Sequence, residues 1–147
     1  MFNHILAPID GSGHAIKAAE MATQMALTYG AKLTLLHVAR RFAVPEKLRE
    51  YLKTEQLSSE DLYDIDEATH KMIGDIRSSA EDRGLKAVKT VFKEGKPSRT
   101  IVGYAERHDV DAIIMGSRGL TDIEGALLGS VSHKVASLAA CTVIIVK

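Results

Sequence analysis

Apolar runs alternating with amphipathic stretches predict that this chain folds as one α/β domain, an open and mainly parallel sheet covered on both faces by helices. Three observations carry that reading. Five short apolar segments are each separated by a stretch of helical period, which is the pattern of a parallel sheet with crossover helices. A length of 147 residues with 46% of them apolar suits one domain, residues 1–147, with a core of useful size. The residues just beyond several strands are chemically unusual, and open sheets of this kind bind ligands outside the carboxyl ends of their strands.

The elements follow in order. HILAPI, residues 4–9, is an apolar run closed by Asp10-Gly11 and reads as the first strand. Over residues 12–29, Ala15, Ala18, Ala19, Ala22, Met25, Ala26 and Tyr29 recur at helical spacing, and Gly30 is a natural stop. So many alanines let this helix approach a sheet closely. KLTLLHV, residues 32–38, is the second strand. Within residues 39–57, Leu48, Tyr51, Leu52 and Glu55 suggest a short helix after Pro45. Ser58-Ser59-Glu60-Asp61 has the form of a capping box. Behind it Leu62, Ile65, Thr69, Met72, Ile76 and Ala80 mark one face of a long helix that Gly84 ends. KAVKTVFK, residues 86–93, alternates like a strand with one wet face, as expected near a sheet edge. Gly95 marks a turn and Pro97 a first helical position. Ile101, Ala105 and His108 then lie on one face of a short helix. Residues 111–115 and 141–146 are the last two strands.

Composition narrows the function. Nineteen basic residues balance nineteen acidic ones, which argues against a nucleic-acid binder working through a strong positive field. Cys141 is the only cysteine, so no intrachain disulfide forms, and a reducing, cytoplasmic setting is expected. MFNHILAPID has no basic region and no long apolar segment, unlike a signal peptide. No apolar stretch approaches the roughly 20 residues that span a bilayer. No membrane and no nucleic-acid partner is expected.

The unusual chemistry is concentrated in GSRGLTDIEGALLGSV, residues 116–131, with four glycines in sixteen residues. Ser130 reads as the N-cap of the last helix, with Gly129 just before it. The first N–H groups of a helix lack intrahelical partners and the dipole adds positive potential, so a phosphate fits there. Gly129 lets the backbone approach an anion. Gly116 and Gly119 allow positive φ and close approach at the strand end. Ser130 and Ser132 can donate hydroxyl hydrogen bonds, and Arg118 can bring a planar cation to phosphate oxygens. The plainer alternative is that the glycines only shape a long surface loop. The segment is not a Walker A loop, because Ser130 rather than lysine follows Gly129. Nor is it the dinucleotide fingerprint, because Asp10-Gly11-Ser12-Gly13 has no third glycine at the right spacing.

The chain resembles the universal stress protein family over nearly its full length. The opening HILAPIDGS is similar to that family's first strand and aspartate turn. FKEGKPSRTIVGYAERHDVDAIIMGSRG is similar to its third strand, third helix and fourth strand. Gly116, Gly119, Gly129 and Ser130 match the pattern G-x2-G-x9-G-[ST], which marks ATP-binding members. The resemblance implies an adenine nucleotide alpha hydrolase-like fold with strand order 3-2-1-4-5. It implies ATP, alone or with Mg2+, as the ligand. Asp10 would sit near adenosine, following Pro8, which shapes the end of strand one. Ile9, Val38 and Met115 would line the base or ribose pocket, partly through backbone groups. Gly116 and Gly119 would approach ribose and phosphates, Gly129, Ser130, Val131 and Ser132 would cradle the phosphate chain, and Arg118 would lie near it. It also implies a homodimer through the last strand, an edge whose unpaired backbone groups can template a second copy. Two departures stand out. Cys141-Thr142-Val143 replaces the family's frequent proline before the last strand, and residues 39–57 fall where the family varies.

Other residues read more plainly. His4, His14, His37, His70, His108 and His133 show no metal spacing, and Cys141 reads as a small core residue. Asp122 and Glu124 read as solvated loop charges, with approach to a nucleotide-bound Mg2+ as the alternative. The function expected is ATP binding in a stress-response sensor or regulator. A slow ATP-hydrolysing or adenylyl-transferring enzyme is the rival, weakened by the lack of HIGH-type or SGGxDS-type signatures and of a base beside the phosphate loop. A dimeric interaction module with a vestigial nucleotide site is the third reading.

Overall fold

The computed structural model describes residues 1–40, 67–120, 122 and 128–147. The strands are β1 (His4–Pro8), β2 (Lys32–Ala39), β3 (Val88–Glu94), β4 (Ala112–Gly116) and β5 (Thr142–Val146). The helices are α1 (Gly13–Tyr29), α2 (Glu67–Asp82), α3 (Pro97–Arg107) and α4 (Ser130–Leu138). The five strands form one sheet in the order β3-β2-β1-β4-β5, and every pairing is parallel. The expected fold class and strand order are both found. The short helix after Pro45, the capping box at residues 58–61 and the positions Leu62 and Ile65 lie outside the described residues.

Period-two alternation splits the sheet into two cores. Ile5, Ala7, Ile9, Leu33, Leu35, Ala112 and Ile114 face α1 and α2. Leu6, Leu36, Ile113 and Met115 face α3 and α4. On the first face α1 presents Ala15, Ala18, Ala19, Ala22 and Ala26, all buried, which brings its backbone close to β1 and β4. Ser12 caps that helix, its hydroxyl accepting from the Ala15 N–H at 3.2 Å. Gly30, at φ 65°, ends it in the left-handed region. In α2, Thr69, Ile73 and Ala80 are buried, with Met72 and Ile76 packed beside them. On the second face α3 buries Ile101, Val102, Tyr104 and Ala105, and α4 buries Val135. His108 does not share that buried face. It is the exposed C-cap of α3, its ring stacked on Tyr104 at 3.9 Å between centroids.

Strand β3 runs one or two residues later than its alternation suggests, because Leu85 turns into the α1–α2 core before Val88 begins to pair with Leu33. The sheet edges are β3, half wet as expected, and β5. Chain order reverses between β1 and β4. After β1 the chain winds outward to β2 and β3, then returns to the other side of β1. That arrangement opens a crevice at the carboxyl ends of β1 and β4.

Candidate functional site

Strand β1 delivers Asp10 to the crevice. Gly11, at φ +90°, turns the chain where a side chain would be strained and would also meet Thr69 Oγ1 at 2.8 Å. The Asp10 carboxylate accepts the Ser12 N–H at 2.9 Å, an Asx turn that sets the start of α1. Its other oxygen accepts the Leu120 N–H at 3.3 Å. Asp10 therefore joins the turn after β1 to the segment after β4.

The segment after β4 is pinned at both ends by one residue. Ser117 is buried, its N–H donating to the Val146 carbonyl at 2.8 Å. Its own carbonyl accepts the Gly129 N–H at 2.7 Å and the Ser132 hydroxyl at 2.9 Å. The start of α4 is thus set against the end of β4. Gly129, not Ser130, is the N-cap, extended at φ -69° and ψ 163°, and its carbonyl accepts the His133 N–H at 3.0 Å. Ser130 is the first helical residue. Ser132 cannot offer its hydroxyl outward. It is 2% exposed and aims at the Ser117 and Gly129 carbonyls.

The motif glycines work by their small size. Gly116, Gly119 and Gly129 all lie outside the positive-φ region, so the left-handed geometry expected at Gly116 and Gly119 is absent. A β-carbon on Gly116 would lie 2.8 Å from the His14 carbonyl carbon, so this glycine lets the end of β4 pass the start of α1. On Gly119 it would lie 2.6 Å from Asp10 Oδ2. On Gly129 it would enter the carboxylate of Asp122.

That carboxylate, partly buried, is more than a solvated loop charge. Asp122 accepts the Gly119 N–H through Oδ2 and the Ser130 N–H at 3.4 Å through Oδ1. Two donors from opposite ends of the glycine pattern converge on one anion, beside the dipole of α4. Pro8, Val38 and Met115 share the α3–α4 face of the sheet by alternation, with Val38, Met115 and Val131 in that core. Arg118 is half-buried and engaged within the fold.

Ile9 departs from its expected place. It is 2% exposed and lies in the α1–α2 core, on the other face from Val38 and Met115. Its N–H donates to the Leu36 carbonyl at 2.8 Å and its carbonyl meets His37 Nδ1 at 2.7 Å. Its side chain and both of those backbone groups are engaged within the fold. His37 is buried. Among the described residues no cluster of ligating side chains could hold a metal ion. No described helix is long and apolar enough to cross a membrane. A groove between α1 and α2, lined by Ile16, Thr23, Met72 and Ile76 among others, lies away from the crevice.

The universal stress protein family model matches residues 1–147. The chain belongs to the universal stress protein family. The universal stress protein YxiE of Bacillus subtilis is 33% identical to it, each chain covered over 100%. The solved structure of universal stress protein MJ0577 of Methanocaldococcus jannaschii superposes with a TM-score of 0.80 at 33% identity, covering 100% of this chain and 96% of that one. A universal stress protein solved in complex with cAMP has a TM-score of 0.73 at 24% identity, with 99% and 97% of the two chains covered. That last likeness bears on the fold.

Sequence spacing singled out Gly119 and Ser130, whose N–H groups converge in this universal stress protein, but not the groups they meet. Ser117, His14 and Asp122 carry no motif. The parallel register that brings the ends of β1, β4 and β5 together is what gives each its neighbours.

Proposed function

We propose that this universal stress protein binds ATP in the crevice between the ends of β1 and β4 and acts as a nucleotide-dependent sensor or regulator. The observation that carries the reading is the pair of backbone N–H groups, Gly119 and Ser130, converging on one negatively charged group at the start of α4. A site already shaped around a carboxylate has the donors and the space that a phosphate needs. Gly129, Ser130 and Val131 would hold the phosphates through the first-turn N–H groups, with Arg118 beside them. Asp10 would face the adenosine end, and Pro8, Val38 and Met115 would form the apolar wall. Mg2+, where it accompanies ATP, would neutralise phosphate charge. The cAMP complex of a fold relative is in keeping with an adenine nucleotide on this scaffold.

Binding rather than fast chemistry is the better reading. Both described carboxylates of the crevice, Asp10 and Asp122, accept backbone N–H groups, so neither is placed as a general base for water. ATP hydrolysis should run no faster than about one turnover per minute, against roughly 1–10³ s⁻¹ for typical enzymes. Turnover of several per second, abolished by a crevice substitution, would move the assignment to an enzyme. The protein is also read as a homodimer joined through β5.

The deciding experiment has two parts. Purified protein is denatured and any released nucleotide identified, and apo protein is titrated calorimetrically with ATP, AMP and adenosine. ATP binding with the order ATP, AMP, adenosine supports the reading. Saturation by none of the three removes it.

A further inference from the structure

We propose that Asp122 is an internal competitor for the phosphate cradle, an anion of the chain itself that sets how tightly phosphate-bearing ligands are held. The inference rests on the nucleotide-binding reading above and names a residue that tunes the same site.

The geometry is specific. Asp122 Oδ2 takes the Gly119 N–H and Oδ1 takes the Ser130 N–H. These are the two donors that the G-x2-G-x9-G-[ST] spacing brings together. The missing side chains of Gly119 and Gly129 leave the room this carboxylate uses. A β-carbon at Gly129 would overlap it, and one at Gly119 would lie 3.4 Å from Oδ2. The same Gly119 position lies 2.6 Å from Asp10 Oδ2, so two carboxylates flank one glycine.

An incoming phosphate therefore meets filled donors and two nearby negative charges. Asp10 is tied to the Ser12 and Leu120 N–H groups, whereas Asp122 alone sits on the first N–H of α4. Its bond there, at 3.4 Å, is long for an N–H to oxygen contact, so it is the contact that yields. Asp122 consequently selects against weakly held anions. Adenosine, with no phosphate, does not compete with it.

The test is calorimetric titration of wild type, Asp122→Asn and Asp122→Ala with ATP, tripolyphosphate and adenosine, at fixed ionic strength, with and without Mg2+. Asparagine keeps the shape, loses the charge and is a weaker acceptor. Alanine vacates the donors. Both variants should bind ATP and tripolyphosphate at least about tenfold more tightly than wild type, as expected when a charge-assisted hydrogen bond no longer has to be given up. Adenosine affinity should not change.

Equal or weaker phosphate binding in both variants overturns the inference. Weakening confined to Mg2+ buffers also overturns it, and makes Asp122 a metal-facing group instead. ATP bound equally by all three proteins leaves the nucleotide reading standing and removes this one. Tripolyphosphate bound more tightly by the variants, with ATP bound by none, does the reverse. Urea melts accompany each titration, and if Asp122→Ala does not fold, the isosteric asparagine decides.

Discussion

At Gly116 and Gly129 the absence of a β-carbon serves two different ends. A β-carbon on Gly116 would lie 2.8 Å from the His14 carbonyl carbon, and backbone cannot move aside cheaply. Among the described residues, the atoms nearest a β-carbon on Gly129 belong to the Asp122 carboxylate, a side chain that can shift, and its φ of -69° suits any residue. Gly116→Ala should therefore cost about 1–3 kcal/mol of stability by overpacking. Gly129→Ala should cost less, about 1 kcal/mol, because the Asp122 carboxylate and its hydrogen bonds have to give way rather than backbone, and its effect should appear in phosphate binding. Urea denaturation of both variants checks this. Equal losses would mean that the two glycines share one structural role. Asp10→Ala should weaken ATP, AMP and adenosine by similar factors, on the order of 10–100-fold, as when a hydrogen bond to a charged group is lost. A calorimetric loss confined to ATP would instead put Asp10 beside the phosphates. The glycine spacing made these positions legible in the sequence. It did not separate packing from ligand approach, because that depends on which neighbour a β-carbon would meet.

The elements were legible wherever one period dominated. In α1 the alanines marked the buried face residue by residue, and Ala19 and Ala22 are fully buried against the sheet. Ala22→Leu should cost about 1–3 kcal/mol, since the added methylenes have no space, while Met21→Ala on the exposed face should change stability by less than about 0.5 kcal/mol. Thermal melts of the two variants distinguish a tight helix–sheet contact from a loose one, which would accept leucine without loss. The reading failed by a residue or more where local pattern competes with tertiary contact. Ser130 has the preferred N-cap chemistry, yet Gly129 takes the cap because its N–H is held by Ser117, a partner far off in sequence. Ile9 continues the apolar run of β1, but it lies in the α1–α2 core rather than at the crevice. His108 keeps helical spacing with Ala105, but α3 ends at Arg107 and leaves it as an exposed cap.

For the molecule as a whole, two groups near the amino ends of the strands tie distant parts of the chain together and contribute to its acid response. His4 lies 5% exposed, with Nδ1 at 3.0 Å from the His108 carbonyl and Nε2 at 2.8 Å from Thr34 Oγ1. The neutral ring satisfies both by donating from Nδ1 and accepting from the threonine hydroxyl. Burial, with the Lys32 charge, holds its pKa below the ordinary 6.5 against the raising effect of the His108 carbonyl. The unfolded chain then binds a proton that the native chain does not, so stability falls as pH drops from 6.5 towards the native value. Asp111 accepts the Asn3 and His4 N–H groups at 2.6 and 2.8 Å, and those bonds hold its carboxyl below the ordinary 3.8. Its contribution is present above that value and is lost as pH falls through the lower native one. Urea melts from pH 7.5 to 5 should show the first loss in wild type and a flatter profile in His4→Asn; identical profiles would remove His4 as its source. The proposed homodimer would form at one edge of the sheet, at β5. Thr142 donates its N–H to the Asp111 carbonyl at 3.2 Å, so by alternation the Val143 and Ile145 N–H groups point away from β4 to the free edge. Val143, Ile144, Ile145 and Val146 are only partly buried in the single chain, and a second β5 meeting this edge about a two-fold axis would cover both. Val143→Pro removes an outward N–H and no bond to β4, a place where an edge strand tolerates proline. It should convert a dimer to a folded monomer, as should Ile145→Asp, both read by light scattering beside a thermal melt. If both variants fold and stay dimeric, the copies meet on another surface.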